Sequence, residues 1–202
     1  QEINYYTTAC GLKQNEGLAE EKAIEFIEQE KNNPRVQQMN FHLGEFYFHR
    51  QNFTDAAKYY EEAGIANLSN REISDMKFHQ GYSYFTLQKF NQAKPLFNSI
   101  RQIREDPNYI DANYYYGFLA FRDRNYSEAL ESFKIVENEK AYASVVPYYI
   151  AQIYYIQGKK EEAIAYAEKK LKGGNAQYYD REMKLMLGHG HFERKELDKG
   201  LP

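Results

Sequence analysis

The sequence predicts an all-α protein made of repeated helix pairs, with five pairs and a partial sixth along its 202 residues. Three observations indicate this fold class. A small residue recurs along the chain, a second small residue follows each one twelve positions later, and aromatic residues keep fixed distances from both. The first small residues are Gly11, Gly44, Gly81, Gly117, Ala151 and Gly188, and the second are Ala23, Ala56, Ala93, Ala129, Ala163 and Gly200.

The spacing separates rigid elements from variable loops. Successive first small residues lie 33 to 37 positions apart, whereas the offset inside each pair is constant. A constant inner offset with a variable outer one indicates paired elements joined by loops that tolerate insertions. The accompanying aromatic residues are Tyr47, Tyr84 and Tyr154, and Tyr60, Phe97 and Phe133. They stand three positions after the first small residue and four after the second, which is the spacing of a helix face. Because helices cross closely where side chains are small, we expect pairs such as Gly81 and Ala93 to face each other.

Each repeat is predicted to fold as a helix, a tight turn and a second helix. The first helices are expected near residues 3–14, 35–50, 72–87, 109–123, 144–157 and 178–194, and the second near 18–31, 54–66, 91–103, 127–138 and 160–172. Polar turns lie between them at 51–53, 88–90 and 124–126, and stop signals lie at 32–34, 106–108 and 173–175. Pro95 and Pro147 are expected in the first turns of their helices, where a missing N–H costs least.

These residues resemble the tetratricopeptide repeat family, whose unit of about 34 residues carries Leu-Gly and Tyr on the first helix and Ala and Phe on the second. The best match has Leu43, Gly44, Tyr47, Ala56, Tyr60 and Ala63 on the family's positions. Departures include Gln80 and Tyr116 in place of Leu, and Ala167 in place of a large aromatic. The resemblance implies a right-handed α-α superhelix and a single solenoid domain over residues 1–202, with repeats near 4–34, 37–70, 74–107, 110–141, 144–175 and a partial one at 178–202.

The two ends of the sequence lead to expectations about the natural protein. The second helix of the sixth repeat should begin after Leu197, and a solenoid needs a terminal cap. We therefore expect the chain to be a fragment of a longer one. Its first residue is Gln1 and not Met, so an upstream piece is expected to have been removed. Export to the periplasm or cell envelope is favoured over the cytoplasm.

Composition and motifs exclude several function classes. A formal charge of −3 with interspersed signs gives no field suited to phosphate backbones, so no nucleic acid partner is expected. No apolar run reaches the roughly 20 residues of a transmembrane helix. No phosphate loop, nucleophile elbow or zinc-protease motif occurs. We therefore expect no catalytic residues, no enzyme activity and no cofactor.

Two features could be mistaken for metal or redox sites. His42, Glu45 and His49 share a helix face, but their spacing is loose and no fourth ligand is evident, so no metal site is predicted. Cys10 is the only cysteine, which excludes an intrachain disulfide framework and a Cys-based zinc site. The family resemblance places Cys10 toward the partner helix, and we expect a buried, inert thiol.

Aromatic residues concentrate on one stripe of the first helices, which in the family line the concave wall. The stripe takes the positions three before, one after and four after each first small residue. We predict that its aromatic members bind a partner; they are Phe41, Phe48, Phe78, Tyr82, Phe85, Tyr114, Phe118, Phe121, Tyr148 and Tyr155. An equally open alternative is that about half of them form the core between repeats. Tyr82, Phe118 and Tyr155 are predicted to be the most groove-like.

Two functions remain open. The first is a non-enzymatic scaffold that binds a peptide or partner helix of another protein in the aromatic groove. The second is glycan binding or a part in cell-envelope assembly, since Tyr and Phe also stack on sugar rings. Asp and Asn beside exposed aromatics would favour sugar, and a continuous apolar trough would favour peptide. The family resemblance favours the protein-binding scaffold. The sequence does not predict an oligomeric state.

Overall fold

The structure is a computed structural model that describes residues 2–66, 68–173 and 178–193. These residues form α-helices and no strands. The helices are α1 (Glu2–Gln14), α2 (Ala19–Gln29), α3 (Arg35–His49), α4 (Phe53–Glu62), α5 (Asn70–Thr86), α6 (Phe90–Arg101), α7 (Tyr109–Arg122), α8 (Tyr126–Val136), α9 (Val146–Ile156), α10 (Lys160–Lys172) and α11 (Asp180–Glu193). The prediction of an all-α fold built of helix pairs is confirmed. The predicted positions around Leu197 and Gly200 lie outside the described residues.

The helix boundaries agree with the prediction to within two residues, except at the end of α4. This helix was expected to reach residue 66 but ends at Glu62. The cause is local, because Ala63 adopts an extended backbone conformation with φ of −75° and ψ of 137°. A residue in this region cannot continue the α-helical hydrogen-bond ladder. The loop between α4 and α5 is therefore longer than the repeat pattern implied.

The chain divides into two compact units, an N-terminal unit (Gln1–Ala112) and a C-terminal unit (Asn113–Pro202). The core of the N-terminal unit is formed by residues from α1 to α5, among which Met39, Leu43 and Ala56 are fully buried. In the C-terminal unit Ala151, Ala167 and Met183 form a buried cluster that joins α9, α10 and α11. Each core therefore lies between the faces of paired and neighbouring helices, as expected for layered helix pairs.

The first helix of each complete repeat ends in the same hydrogen-bonded turn. In α3 the Gln51 N–H bonds the Phe48 carbonyl at 2.9 Å and the Asn52 N–H bonds the Tyr47 carbonyl at 2.9 Å. This pair of bonds defines a Schellman cap, whose central residue adopts the left-handed conformation. The central residues have φ near +60° or above; they are Asn15, Gln51, Gln88, Arg124 and Gly158. The predicted polar turns are therefore helix caps that reverse the chain.

In three repeats the first small residue, Gly44, Gly81 or Gly117, makes room for an aromatic ring of the partner helix. A Cβ atom at Gly81 would lie 3.0 Å from the Phe97 ring and 3.4 Å from the Leu96 side chain. Gly44 approaches Tyr60 in the same way, at 2.6 Å. The close crossing thus depends on one small residue that receives a large one from the partner helix.

The two prolines differ in their positions. Pro147 lies in the first turn of α9, as predicted. Pro95 lies inside α6, beyond the first turn, so that part of the prediction is wrong. The helix begins at Phe90, and the exposed ring of Pro95 faces away from the buried residues Ala93 and Phe97. A carbonyl left without its helical donor can bond water on an exposed face, which lowers the cost of the proline.

Within the described part of the chain, every helix is too short or too polar to cross a membrane.

Candidate binding surface on the first helices

Nine of the ten predicted binding residues are half-buried, neither enclosed in a core nor fully exposed. They are Phe48, Phe78, Tyr82, Phe85, Tyr114, Phe118, Phe121, Tyr148 and Tyr155. Phe41 is the exception, because it is only 4% exposed and belongs to the core of the N-terminal unit. It lies on α3, which packs against α1, α2, α4 and α5. Phe41 therefore cannot line an open surface, and the prediction for this residue is corrected.

In the N-terminal unit, the aromatic side chains of α3 and α5 interlock. The Phe48 ring stacks on the imidazole of His79 with a centroid distance of 4.0 Å. The Tyr82 ring meets Phe48 edge to face at 5.8 Å and meets Phe53 at 5.6 Å. Such offset and edge-to-face contacts hold aromatic rings in defined orientations. We call Phe48, Phe53, His79 and Tyr82 the Phe48 cluster.

A carboxylate lies beside the Phe48 cluster. The Oε1 atom of Glu45 accepts a hydrogen bond from the Tyr60 hydroxyl at 2.6 Å and contacts Nδ1 of His79 at 2.8 Å. Burial favours the neutral acid and acts to raise the pKa of Glu45, but the hydrogen bonds from His79 and Tyr60 outweigh it. The pKa of Glu45 is lowered as a result, and the carboxylate stays ionised.

In the C-terminal unit, the predicted residues pack around Tyr149 and Tyr142. Phe118 and Phe121 meet the Tyr149 ring edge to face at 5.9 and 5.2 Å. Tyr114 stacks on Tyr142 at 4.1 Å, with the two rings 15° from parallel. These contacts join α7 to the segment before α9 and to α9 itself. Each of these three rings therefore contributes to the packing between repeats.

The end of the C-terminal unit repeats this arrangement with more polar groups. Tyr148 stacks on Tyr179 at 4.4 Å and accepts a hydrogen bond from Gln152 at 2.6 Å. The Tyr155 hydroxyl lies 2.8 Å from Nδ1 of His189, at an exposed site. The surface near α9 and α11 is thus aromatic but carries hydrogen-bonding groups at its rim.

Comparisons with known proteins come from sequence and from structure. A sequence model described as Tetratricopeptide repeat matches residues 18–69, which include α2, α3 and α4. Among solved structures, YrrB, described as a TPR protein with an unusual peptide-binding site, has a TM-score of 0.64 at 19% identity, over 95% of this chain and 90% of that chain. The structure of MamA AMB-1 has a TM-score of 0.64 at 19% identity, over 87% and 93%. MamA from Desulfovibrio magneticus RS-1 has a TM-score of 0.61 at 16% identity, over 81% and 88%. No curated protein sequence matches significantly.

Residues 18–69 therefore match the tetratricopeptide repeat, and most of the chain has a fold like that of YrrB. The matched sequence segment contains the repeat with the best agreement to the family pattern, and the likeness in fold covers most of the chain. At identities below 20% the solved structures establish the fold and no particular ligand.

One set of residues that shape the surface of these repeats was not predicted from the sequence. They lie two positions before the first small residue of a repeat and include His79 and Tyr149, which pack against the predicted rings. A signal for them was present, since this position holds His42, His79, Tyr115 and Tyr149 in four successive repeats. The stripe was predicted from the spacing within each helix. That spacing does not identify the side chains that pack between the stripes of neighbouring helices.

Two further expectations concern Cys10 and metal binding. Cys10 is exposed on α1, so the expectation of a buried thiol is wrong. The cap of α1 explains the difference. Its left-handed residue, Asn15, follows Gly11 by four positions, whereas the equivalent cap residue of α3, Gln51, follows Gly44 by seven. The first repeat is therefore out of register with the others at the end of its first helix. Among the described residues, no group of three or more His, Cys, Asp or Glu side chains is arranged to hold a metal ion.

Proposed function

We propose that this tetratricopeptide-repeat protein is a non-enzymatic scaffold that binds a peptide or helix of another protein on the aromatic faces of its first helices. The observation that carries the proposal is the half-buried state of nine aromatic side chains on one stripe of the first helices. Each ring is held by neighbouring rings and still reaches solvent. Binding to such side chains desolvates a large surface at a small cost in conformational entropy.

Two further points support a protein partner. YrrB, a protein of the same fold, is described as having an unusual peptide-binding site. In addition, the polar groups beside the rings include Glu45, His79, Gln152 and His189. The glycan alternative would be favoured by Asp and Asn beside exposed rings, because paired acceptors and donors bind vicinal hydroxyl groups. The observed set resembles a rim that orients a peptide segment.

Selection from a displayed library of random peptides tests this proposal. Peptides enriched on the full chain should lose affinity for a variant that combines Tyr82→Ala and Phe118→Ala, by about tenfold or more if the rings contribute as interface anchors do. Tyr178→Ala provides the matched control, since Tyr178 is 75% exposed and lies outside the stripe. All variants should first be shown to unfold at the same temperature as the parent.

Two outcomes of the selection would contradict the proposal. Equal affinity of the enriched peptides for the parent and the double variant would remove the aromatic faces from the binding mechanism. Failure to enrich any peptide, together with binding to a panel of oligosaccharides that is lost in the double variant, would replace the protein partner with a glycan.

A further inference from the structure

Among the residues that the structure describes, three half-buried glutamates accept a hydrogen bond from a tyrosine hydroxyl. Tyr47 donates to Glu20 at 2.6 Å, Tyr60 donates to Glu45 at 2.6 Å, and Tyr166 donates to Glu137. A carboxylate that is partly removed from water needs compensating partners, and one hydroxyl supplies only part of that compensation. The three sites can therefore be compared by what else each carboxylate contacts.

Glu20 and Glu137 have a basic side chain as a second partner. A guanidinium nitrogen of Arg50 lies 3.8 Å from Glu20. The ammonium groups of Lys134 and Lys170 each lie 3.5 Å from Glu137. At Glu137 the cation also contacts the aromatic ring, since Lys134 lies 4.6 Å from the centre of Tyr166. In these two sites the chain itself combines a carboxylate, a tyrosine and a cation.

Glu45 differs, because among the described residues it has no Lys or Arg partner within 4.0 Å. Both of its hydrogen bonds go to Oε1. The Oε2 atom accepts no hydrogen bond from the described residues, and its nearest ionic contact is the exposed His49 at 3.7 Å. The Glu45 side chain is 22% exposed, so an external donor can reach it.

The surroundings of Glu45 match one kind of donor. His79 joins the carboxylate to the Phe48 cluster, because its imidazole contacts Glu45 and stacks on the Phe48 ring. A guanidinium group donates two parallel hydrogen bonds to a carboxylate and also stacks on aromatic rings, whereas an ammonium group is more strongly hydrated. A guanidinium group already contacts an aromatic ring elsewhere in the chain, since the Arg50 guanidinium lies 4.1 Å from the centre of the Phe46 ring.

We propose that Glu45 and the Phe48 cluster bind an arginine side chain of the partner segment. This assignment rests on the proposed function and specifies its chemistry for the N-terminal unit. The corresponding position in the C-terminal unit is Gln152, which bonds Tyr148 and carries no charge. Arginine selectivity therefore belongs to the N-terminal unit, and the C-terminal unit contributes uncharged contacts.

The test is a titration of the ¹⁵N-labelled full chain with N-acetyl-arginine methylamide, followed by NMR. N-acetyl-citrulline methylamide is the matched probe, because it has nearly the same shape without the charge. At about pH 8, above the ordinary pKa of histidine, the arginine probe should shift the amide signals of Glu45, Phe48 and Tyr82. Its affinity should exceed that of the citrulline probe by about fivefold or more.

Variants separate the contributions of charge and ring. Glu45→Gln keeps an acceptor for Tyr60 and His79, and should abolish the preference for arginine. Phe48→Leu should weaken binding of the arginine probe while leaving the carboxylate in place. Glu62→Gln is the control, because Glu62 is an exposed residue of α4, and it should leave binding unchanged. Equal shifts with both probes, or an unchanged preference in Glu45→Gln, would overturn the assignment.

The outcome can be separated from that of the proposed function. Peptides that depend on Tyr82 but show no enrichment of arginine, together with a negative titration, would refute only the arginine assignment. A positive titration with no enriched peptide would support the site and refute the scaffold.

Discussion

At the scale of single residues, a buried polar group and a closely packed glycine each depend on a particular neighbouring side chain. His42 is one case, since its Nε2 lies 3.2 Å from the Tyr5 hydroxyl. Burial, with a smaller contribution from Lys13, lowers the pKa of His42 to about 4. Gly44 is another case, because the ring of Tyr60 occupies the space that a side chain would need.

The lowered pKa of His42 predicts a loss of stability in acid. Below an ordinary pKa of about 6.5 the unfolded chain binds a proton that the folded chain refuses, so the free energy of unfolding falls as the pH drops from about 6.5 to about 4. This difference amounts to about 2–3 kcal/mol at pH 4.5. Urea unfolding of His42→Gln should show a smaller loss between pH 7.5 and 4.5 than the parent. His49→Gln is the exposed control, and an equal pH dependence in all three proteins would contradict the prediction.

The close approach at Gly44 predicts that an added methyl group is costly. A Cβ atom there would lie 2.6 Å from the Tyr60 ring, so Gly44→Ala should lower the free energy of unfolding by about 2 kcal/mol through overpacking. Gly17→Ala is the matched control, because no atom lies within 4 Å of a Cβ at Gly17. Denaturant unfolding of both variants measures the difference. Equal stabilities would show that α3 and α4 can move apart freely.

At the scale of elements, the caps of the first helices set where each helix pair turns. Asn15, Gln51, Gln88 and Arg124 hold the left-handed position without being glycine, and Gly158 is the one glycine among the five described caps. A left-handed conformation costs an L-residue with a Cβ atom about 1–2 kcal/mol, which the cap's hydrogen bonds offset.

Substitutions of the left-handed cap residue should therefore change the free energy of unfolding in opposite directions in two repeats. Arg124→Gly should raise the free energy of unfolding by about 0.5 kcal/mol, because relief of the left-handed strain exceeds the entropy lost by glycine. Gly158→Ala should lower it by about 1 kcal/mol. Thermal unfolding of the two variants measures both changes. A shift of the same sign in both proteins would argue against the strain at these caps.

At the scale of the whole molecule, the packing is local along the chain. Aromatic contacts between repeats join a helix to the next repeat, as Phe48 joins His79 and Phe133 joins Tyr149. Stability in such arrays is a sum of terms within repeats and between neighbours. The two compact units are consistent with a chain in which a destabilising substitution affects one part more than another.

A core substitution should therefore have a graded effect along the chain. Phe133 is fully buried and stacks on Tyr149 at 5.4 Å, so Phe133→Ala should cost about 3–5 kcal/mol in the C-terminal unit. Hydrogen exchange should show the largest loss of protection in α8 and α9, and little change in α1 and α2. A uniform loss of protection over the whole chain would indicate one cooperative unit instead.

The sequence by itself determined the helices, their pairing and the turns between them, because these depend on residues close in the chain. The offset of twelve between small residues and the polar cap segments predicted α1 to α11, although α1 is out of register at its end and α4 ends early. The exposure of Cys10, the burial of Phe41 and the partner of Gly81 required the tertiary structure. So did the environment of Glu45, whose contact His79 lies 34 residues away. Such properties depend on how neighbouring repeats stack, and the spacing within one helix carries no information about the side chains that stacking brings against it.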